Sequence, residues 1–250
     1  MTTDRSRILL AIPVFNEAKS IDRVLSEVRH FARDVLVIDD GSTDETPRRL
    51  AGHRVEVIRH AENRGYGRSM QDILRWGRFD GYDWVITMDC DEQHEPRSIP
   101  EFVREIERDE ADVISGSRYL REIPGGDSPP PDRRRINETI TREVNDRIEL
   151  GITDSFCGFK AYRVAACSAL SLSVDGYDFP MQFWVQAKAE NLRIREIPVR
   201  LIYNDPKRSF GGPLDDPVRR LDTYRCTLHR ELWRCRARLP RQATRGLACR

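Results

Sequence analysis

Short apolar runs alternate with segments of helical periodicity through the first half of the chain. After the first run, the apolar residues Ile21, Val24, Leu25 and Val28 recur at the spacing of a helix face. The runs themselves read RILLAIPV, VLVIDD, VEVIRH, WVITMD and ADVISGS. Alternating strand and helix patterns are typical of βαβ units. The sequence therefore predicts an α/β fold with a Rossmann-like, mostly parallel central sheet flanked by helices.

The second half of the chain is less regular. The segment IPGGDSPPPD (residues 123–132) is rich in proline and glycine, which indicates a surface loop and a candidate flap over a site. A helical stretch follows over residues 133–150, then a helix from about Phe179 to Glu190 and a strand over residues 192–203. This half is predicted to be a smaller, mixed portion of the fold.

A basic segment follows from Val218. It holds ten arginines against Asp222 and Glu231, with leucines and aromatic residues interleaved. The pattern predicts either a helix lying on an anionic membrane surface or an ordinary helix that packs its apolar side on the domain. We predict a main domain over residues 1–215, divided into halves of about 1–120 and 121–215, and a basic amphipathic helix and tail over residues 216–250.

Composition argues against several classes of protein. The 42 lysines and arginines nearly balance the 41 aspartates and glutamates, so the net charge of +1 does not favour a nucleic-acid partner. The six cysteines include no CxxC pair, which favours reduced thiols over a disulfide framework or a zinc site. Neither a signal peptide nor an apolar run of roughly 20 residues, as a membrane span needs, is recognisable, so we expect a cytoplasmic protein.

Acidic residues follow the second predicted strand, in the segment DDGSTDET. Ligands bind beyond the carboxyl ends of strands in open parallel sheets. Residues 42–46 are best interpreted as turn and helix-capping residues. Asp40 directly follows the apolar run VLVI, and its carboxylate could accept hydrogen bonds from a base or a ribose.

A second acidic cluster follows the strand WVIT, in the segment MDCDEQH. In an extended segment the side chains at positions i and i+2 point the same way, so Asp89 and Asp91 would face one site and Cys90 the other side. Two neighbouring carboxylates suit Mg²⁺ or Mn²⁺, which bind through one or two carboxylates and substrate phosphates. Gln93 or His94 could supply a further ligand. The alternative is a solvated acidic loop.

Seven motifs, in order over about residues 8–210, resemble the family 2 glycosyltransferases and particularly their dolichyl- or polyprenyl-phosphate mannosyltransferase branch. They read IPVFNE, VIDDGSTDET, NRGYG, MDCDEQH, SGSRYL, TDSFCGFKAYR and GYDF…RIREIPVRL. The resemblance implies a GT-A fold and an inverting transfer of a sugar from a nucleotide-diphosphate donor, GDP-mannose or another, with Mg²⁺ or Mn²⁺ as cofactor.

The resemblance also implies roles for individual residues. It assigns donor contacts along the strand ends, a metal site, a catalytic arginine and a cluster for acceptor phosphate. The donor contacts are Pro13, Phe15, Glu17, Ile38, Asp40, Cys90, Arg118 and Arg208; the metal ligands, which also contact the donor, are Asp89, Asp91 and Gln93; the acceptor-phosphate residues are Arg133, Arg134 and Arg135. The chain departs from the branch at IYNDPKRSFGG, where either Lys207 or Arg208 would meet phosphates.

The acceptor determines whether a base is needed. A lipid phosphate such as polyprenyl or dolichyl phosphate is already anionic, whereas a hydroxyl acceptor requires a carboxylate to take its proton. Asp154 in the segment ITDSFCG is the first candidate base and Asp178 the second, and a loop hydrogen-bonding role is equally open for Asp154. With Asp91 and Arg118, Asp154 completes the predicted catalytic set. The enzyme would contact the cytoplasmic membrane peripherally.

Three other functions fit parts of the sequence. A glycosyltransferase acting on a glycan hydroxyl would share the same donor motifs. A sugar nucleotidyltransferase would share the sheet and the metal, but it normally carries a glycine-rich loop where this chain reads PVFNEAKS. A catalytically silent nucleotide-sugar binder would retain the donor-binding residues.

Overall fold

A seven-stranded sheet forms the centre of the protein, seen in a computed structural model that describes residues 6–203, 209 and 211–247. The strands lie in the order β3-β2-β1-β4-β6-β5-β7. Neighbouring strands are parallel except around β6, which is antiparallel to β4 and β5. The prediction of an α/β fold with a mostly parallel sheet is confirmed. The strands are β1 (Ile8–Val14), β2 (Val35–Asp39), β3 (Glu56–Arg59), β4 (Trp84–Thr87), β5 (Val113–Ser117), β6 (Lys160–Arg163) and β7 (Ile194–Pro198).

Helices cover both faces of the sheet. One core cluster includes residues of α1 and α4, and the larger cluster on the other face includes residues of α3, α5, α7 and α8. The helices are α1 (Ile21–Val28), α2 (Thr46–Leu50), α3 (Tyr66–Phe79), α4 (Ile99–Arg108), α5 (Pro131–Ile148), α6 (Val164–Cys167), α7 (Phe179–Ala189) and α8 (Pro217–Arg234).

Strand β6 is the element that the sequence pattern did not predict. It is four residues long and begins and ends on a basic residue, KAYR, so it lacks the apolar run of the other strands. Its antiparallel direction places its first residue, Lys160, beside Thr87 of β4 and Ser115 of β5. The loop that precedes β6 therefore lies at the same edge of the sheet as the carboxyl ends of β4 and β5.

The basic C-terminal segment forms α8, which packs on the rest of the protein. Tyr224, Leu228 and Leu232 lie on one side of this helix and are buried in the larger core cluster. The apolar side of α8 is therefore occupied by α5 and α7, as expected for an ordinary packed helix. Among the described residues, no helix combines the length and the apolar character that crossing a membrane requires.

Glu143 of α5 joins this helix to α8. Its carboxylate accepts hydrogen bonds from His229 at 2.6 Å, from Arg225 at 2.9 Å and from Arg147 at 3.2 Å. The hydrogen bonds from His229 and Arg225 lower the pKa of Glu143 to about 2. The negative charge of this carboxylate is thus a stabilising contact between two helices of the second half.

We expect Glu143→Gln to lower the free energy of unfolding by about 1–2 kcal/mol at pH 7, because charge-assisted hydrogen bonds are lost. The folded-state pKa of Glu143 lies below its ordinary value of 4.5. The contribution is therefore complete above that value and is lost as the pH falls towards 2. Urea denaturation of both proteins at pH 7 and pH 3 measures the difference, which should be smaller at pH 3.

Glu138→Gln is the matched control, since Glu138 lies on the same helix and is exposed. Among the described residues, its ion pair is with Arg134. Its effect should stay within about 0.5 kcal/mol. Equal destabilisation by the two variants would contradict the assigned role of Glu143.

Candidate functional site

A cavity of about 830 Å³ opens at the edge of the sheet where the parallel strands end. Acidic residues from the loops after β1, β2 and β4 border this cavity together with basic residues and aromatic rings. The acidic residues are Glu17, Asp40, Asp44, Asp89 and Asp91, and the basic residues are Lys19, Arg118, Arg133 and Arg220. The cavity therefore brings a cation-binding surface and an anion-binding surface into one space.

Asp89, Asp91 and Gln93 border this cavity together. The predicted alternation of side chains in an extended segment is not the cause, because β4 ends at Thr87, before the first aspartate. The chain instead turns, with Glu92 in the left-handed conformation (φ 62°) and the backbone N–H of Gln93 donating to Asp91 Oδ1 at 3.0 Å. Cys90 also borders the cavity, but its side chain is buried in the core.

The buried side chain of His94 is hydrogen-bonded to the backbone of this turn. Its Nδ1 accepts a hydrogen bond from the backbone N–H of Asp89 at 3.0 Å, so the ring hydrogen is on Nε2, which lies 3.8 Å from Cys157 Sγ. Burial lowers the pKa of His94 to about 4. Both ring nitrogens face protein groups and His94 is not among the residues that border the cavity, which corrects the suggestion that His94 supplies a metal ligand.

The carboxylate of Asp89 lies directly over Gly158, in the loop that precedes β6. A Cβ atom at residue 158 would lie 2.4 Å from Asp89 Oδ2 and 2.8 Å from its Cγ. Thr87 Oγ1 donates to the carbonyl of Gly158 at 2.8 Å, which holds this backbone against the end of β4. The position of the carboxylate therefore depends on a residue without a side chain.

The oxygens of Asp89, Asp91 and Gln93 are hard ligands that suit Mg²⁺ or Mn²⁺. Within the described residues, no group of three or more His, Cys, Asp or Glu side chains could hold a metal ion. A site with two carboxylates and one amide fits a cation that takes its remaining ligands from a substrate diphosphate and water.

Arg118, at the end of β5, is held by Asp154 from the loop before β6. The guanidinium donates from Nε to Asp154 Oδ2 at 2.7 Å and from Nη2 to Oδ1 at 2.9 Å. Burial alone would raise the pKa of Asp154, but the charge of Arg118 and its hydrogen bonds hold that pKa well below its usual range. The same pairing raises the pKa of Arg118 against the effect of burial. Both groups therefore stay charged.

Asp154 does not fit the predicted role of a base. Its side chain is fully buried, and its oxygens also accept from Asn137 Nδ2 at 2.8 Å and from the backbone N–H of Phe156 at 3.1 Å. Arg118 and Asn137 border the cavity in its place. Asp178, the second candidate, accepts from Thr227 Oγ1 at 2.5 Å and borders a different, smaller pocket.

The residues predicted to contact the donor separate into two groups. Pro13, Phe15 and Glu17 border the cavity, as does Asp40. Ile38 lies in β2 with its side chain fully buried in the core, so the prediction that this side chain contacts a ligand is wrong. Arg208 lies outside the described residues.

Segment DDGSTDET forms a turn at the same edge. The backbone N–H of Ser42 donates to Asp39 Oδ1 at 2.9 Å, and that of Thr46 donates to Asp44 Oδ1 at 2.9 Å. These contacts agree with the interpretation of residues 42–46 as turn residues, whereas the N-cap residue of α2, Glu45, makes no side-chain capping hydrogen bond. In addition to this turn contact, Asp44 borders the cavity.

Of the three consecutive arginines predicted to bind acceptor phosphate, Arg133 borders the cavity. Its guanidinium carbon lies 5.5 Å from the ring centre of Tyr203. Arg134 instead stacks on Tyr119 at 3.7 Å and pairs with Glu138 at 2.8 Å. Arg135 is exposed and is not among the residues that border the cavity. Helix geometry explains the difference, since successive residues point in directions about 100° apart.

The sequence pattern missed the contribution of α8 to the cavity. Arg220 and Tyr224, one helical turn apart, are buried and border it. Arg220 donates to Asp132 Oδ2 at 2.7 Å and to the carbonyl of Leu214 at 3.0 Å. The sequence contained one signal for this contribution, because Arg220 lies on the same helical stripe as Tyr224, Leu228 and Leu232. It was missed because arginines in a basic helix are ordinarily exposed to solvent.

Comparison with known proteins assigns a family. A family model described as "Glycosyl transferase family 2" matches residues 10–171. The undecaprenyl-phosphate mannosyltransferase of Micrococcus luteus is 30% identical over 226 residues, which cover 85% of this chain and 91% of that protein. A UDP-N-acetylglucosamine–dolichyl-phosphate N-acetylglucosaminyltransferase of Methanococcus voltae is 27% identical over 233 residues, with 82% of this chain and 89% of that protein covered.

A solved structure shares the fold. It is glucosyl-3-phosphoglycerate synthase from Mycobacterium tuberculosis in complex with Mn²⁺, UDP and glucosyl-3-phosphoglycerate. The TM-score is 0.69 at 20% sequence identity, and the match covers 94% of this chain and 81% of that chain. The likeness confirms the predicted GT-A fold.

We expect Gly158→Ala to weaken Mn²⁺ binding about tenfold or more, because the added methyl group must displace the Asp89 carboxylate. Isothermal titration with Mn²⁺ in the presence of a nucleoside diphosphate measures the change. Gly52→Ala is the control, since Gly52 is exposed and its Cβ would come no closer than 3.3 Å to the Arg49 carbonyl oxygen. Unchanged affinity in a natively folded Gly158→Ala protein would contradict the assigned contact.

Proposed function

Since this chain belongs to the family 2 glycosyltransferases, we propose that it transfers a sugar, with inversion, from a nucleoside-diphosphate donor to the phosphate of a polyprenol or dolichol. The observation that carries the proposal is a single cavity bordered by the carboxylates of Asp89 and Asp91 and by the guanidinium groups of Arg118 and Arg133. A donor diphosphate with its cation would lie against the carboxylates and Arg118, and Arg133 would receive a second anion.

On the donor side, Asp89, Asp91 and Gln93 would hold Mg²⁺ or Mn²⁺ against the diphosphate. When bound, the cation offsets the negative charge that the departing nucleoside diphosphate gains. Arg118 supplies a fixed positive charge for the same purpose, and Asp154 keeps its guanidinium charged and oriented. Donors that are fixed before the reaction need no reorganisation as charge develops. Arg118 is therefore the proposed catalytic residue and Asp154 its positioning partner.

On the acceptor side, Arg133 and Arg220 would receive a phosphate. A phosphate oxygen is already anionic and attacks the sugar without a base. This agrees with Asp154, the first candidate base, having both oxygens occupied by hydrogen bonds. The relatives named above act on undecaprenyl and dolichyl phosphates, which supports the same class of acceptor here.

Ring and aliphatic side chains border the same side of the cavity. Ile136, Phe156 and Tyr224 lie there beside the arginines. Such a surface suits the first isoprene unit of a lipid that follows its phosphate. In this proposal the donor half comprises about residues 1–120, the acceptor half about residues 121–215, and α8 adds a wall to the acceptor half.

The sugar and base of the donor are less narrowly set. The relative that acts on undecaprenyl phosphate is named a mannosyltransferase, which makes GDP-mannose the first candidate. The relative that acts on dolichyl phosphate is named for UDP-N-acetylglucosamine, which makes that donor the second.

A lipid acceptor places the enzyme at a membrane surface. We propose peripheral contact on the cytoplasmic face, where exposed arginines of the C-terminal segment would meet anionic lipid. Faster turnover of polyprenyl phosphate in anionic vesicles than in neutral vesicles supports this contact, and equal rates contradict it.

Asp91→Asn is expected to reduce metal-dependent turnover of the preferred nucleotide sugar about a hundredfold or more, because one ligand of the cation loses its charge. Glu92→Gln is the matched control and should retain activity, since Glu92 pairs with Arg23 outside the cavity. Release of the nucleoside diphosphate, with and without a chelator, is the measurement. Turnover that is indifferent to Asp91→Asn and to the chelator would contradict the proposal.

Arg133→Ala is expected to raise the KM for polyprenyl phosphate about tenfold, because a charged hydrogen-bond donor to the acceptor is lost. Arg135→Ala, two residues along the same helix and exposed, should leave this KM unchanged. The acceptor assay compares polyprenyl phosphate with the free polyprenol. Transfer to the free alcohol instead would favour a hydroxyl acceptor, and donor binding without transfer would favour a silent binder.

A further inference from the structure

Asp40 borders the cavity and is the centre of a hydrogen-bond cluster. Its buried carboxylate accepts from the backbone N–H groups of Arg64 and Gly65, each at 2.8 Å. It also lies 2.6 Å from His60 Nδ1. Three of the roughly four acceptor positions of a carboxylate are therefore used by the protein.

The loop that Asp40 binds forms part of the cavity wall. Asn63, Gly65 and Tyr66 border the cavity. The loop is tightly placed on its other side, because Gly65 has φ 100° and a Cβ there would lie 2.3 Å from the carbonyl oxygen of Asp175. A displacement of the Asp40 carboxylate would therefore displace the backbone that shapes this wall.

His60 links Asp40 to α3. Its Nε2 lies 3.1 Å from Asp72 Oδ2, on the opposite side of the ring from Asp40. Asp72 is itself fixed by Arg68 and Arg75, each at 2.8 Å. Each ring nitrogen of His60 thus faces one carboxylate, so one flat ring joins Asp40 to Asp72. Burial and its absence from the cavity lining keep His60 from contacting a ligand directly.

We propose that His60 is a positioning residue for binding of the nucleoside diphosphate. It holds the Asp40 carboxylate in the orientation in which this carboxylate fixes residues 64 and 65, and so preserves the wall against which the nucleoside lies. The inference rests on the proposed function, because it takes a nucleoside diphosphate as the ligand. It adds a residue that does not contact the donor to the set that determines donor affinity.

The test is titration of the full-length protein with UDP and with GDP in the presence of Mn²⁺. His60→Phe removes both polar contacts and keeps a flat ring, and we expect its Kd for the preferred nucleotide to rise about tenfold. At saturating donor, kcat should change less than twofold, because the metal ligands and Arg118 are untouched. A loss confined to KM distinguishes positioning of the binding wall from general damage to the fold, which would lower kcat as well.

Two further variants separate the contacts of His60. Asparagine places its amide near the position of Nδ1 and glutamine places it near Nε2, so His60→Asn should stay within about threefold of the wild-type Kd while His60→Gln should resemble His60→Phe. His53→Phe is the matched control, since His53 also lies 2.8 Å from an aspartate, Asp22, but Asp22, unlike Asp40, does not border the cavity. Its nucleotide affinity should be unchanged.

Wild-type affinity in a folded His60→Phe protein overturns the inference, as does an asparagine variant that binds as weakly as the phenylalanine variant. Melting temperatures of all variants identify any that fail to fold, and the asparagine variant keeps the test decisive if His60→Phe is one of them. A wild-type protein that binds neither UDP nor GDP with Mn²⁺ would instead contradict the proposed function itself.

Discussion

The buried ion pair between Arg118 and Asp154 joins the two parts of the chain on which the cavity depends. Arg118 follows β5, whereas Asp154 belongs to the loop that leads into β6. Two hydrogen bonds of 2.7 and 2.9 Å, together with those from Asn137 and Phe156, satisfy the carboxylate where water is excluded. Removing Arg118 from such a pair costs about 3–5 kcal/mol, because the charge of Asp154 stays buried and loses its ionic partner.

The same loop has a second structural role four residues after Asp154. Its Gly158 leaves room for the Asp89 carboxylate, so one segment positions a cationic side chain and an anionic one at the same sheet edge. This arrangement follows from the antiparallel insertion of β6 between β4 and β5. A parallel strand at that place would enter from the opposite edge and bring its preceding loop to the other end of the sheet.

The sequence predicted the parallel strands and the residues at their ends because buried strands are apolar and ligands bind at one edge. It did not predict β6, because this strand lacks an apolar run and begins with the buried Lys160. The ammonium group of Lys160 donates a hydrogen bond to the carbonyl of Cys157, a contact that a sequence pattern does not show. The sequence also did not predict which side chains pair when they are far apart along the chain. The partner of Asp154 lies 36 residues away, and the cavity wall formed by Arg220 depends on how α8 packs.

The central claim is that two carboxylates at the end of β4 hold a cation against a diphosphate. Electron paramagnetic resonance of Mn²⁺ tests it directly, because the free aqueous ion gives a strong signal that falls on binding. The account predicts that the wild-type protein with a nucleoside diphosphate removes one equivalent of free Mn²⁺ beyond what the nucleotide binds alone, and that the double variant Asp89→Asn, Asp91→Asn does not. Equal loss of signal with both proteins would contradict it.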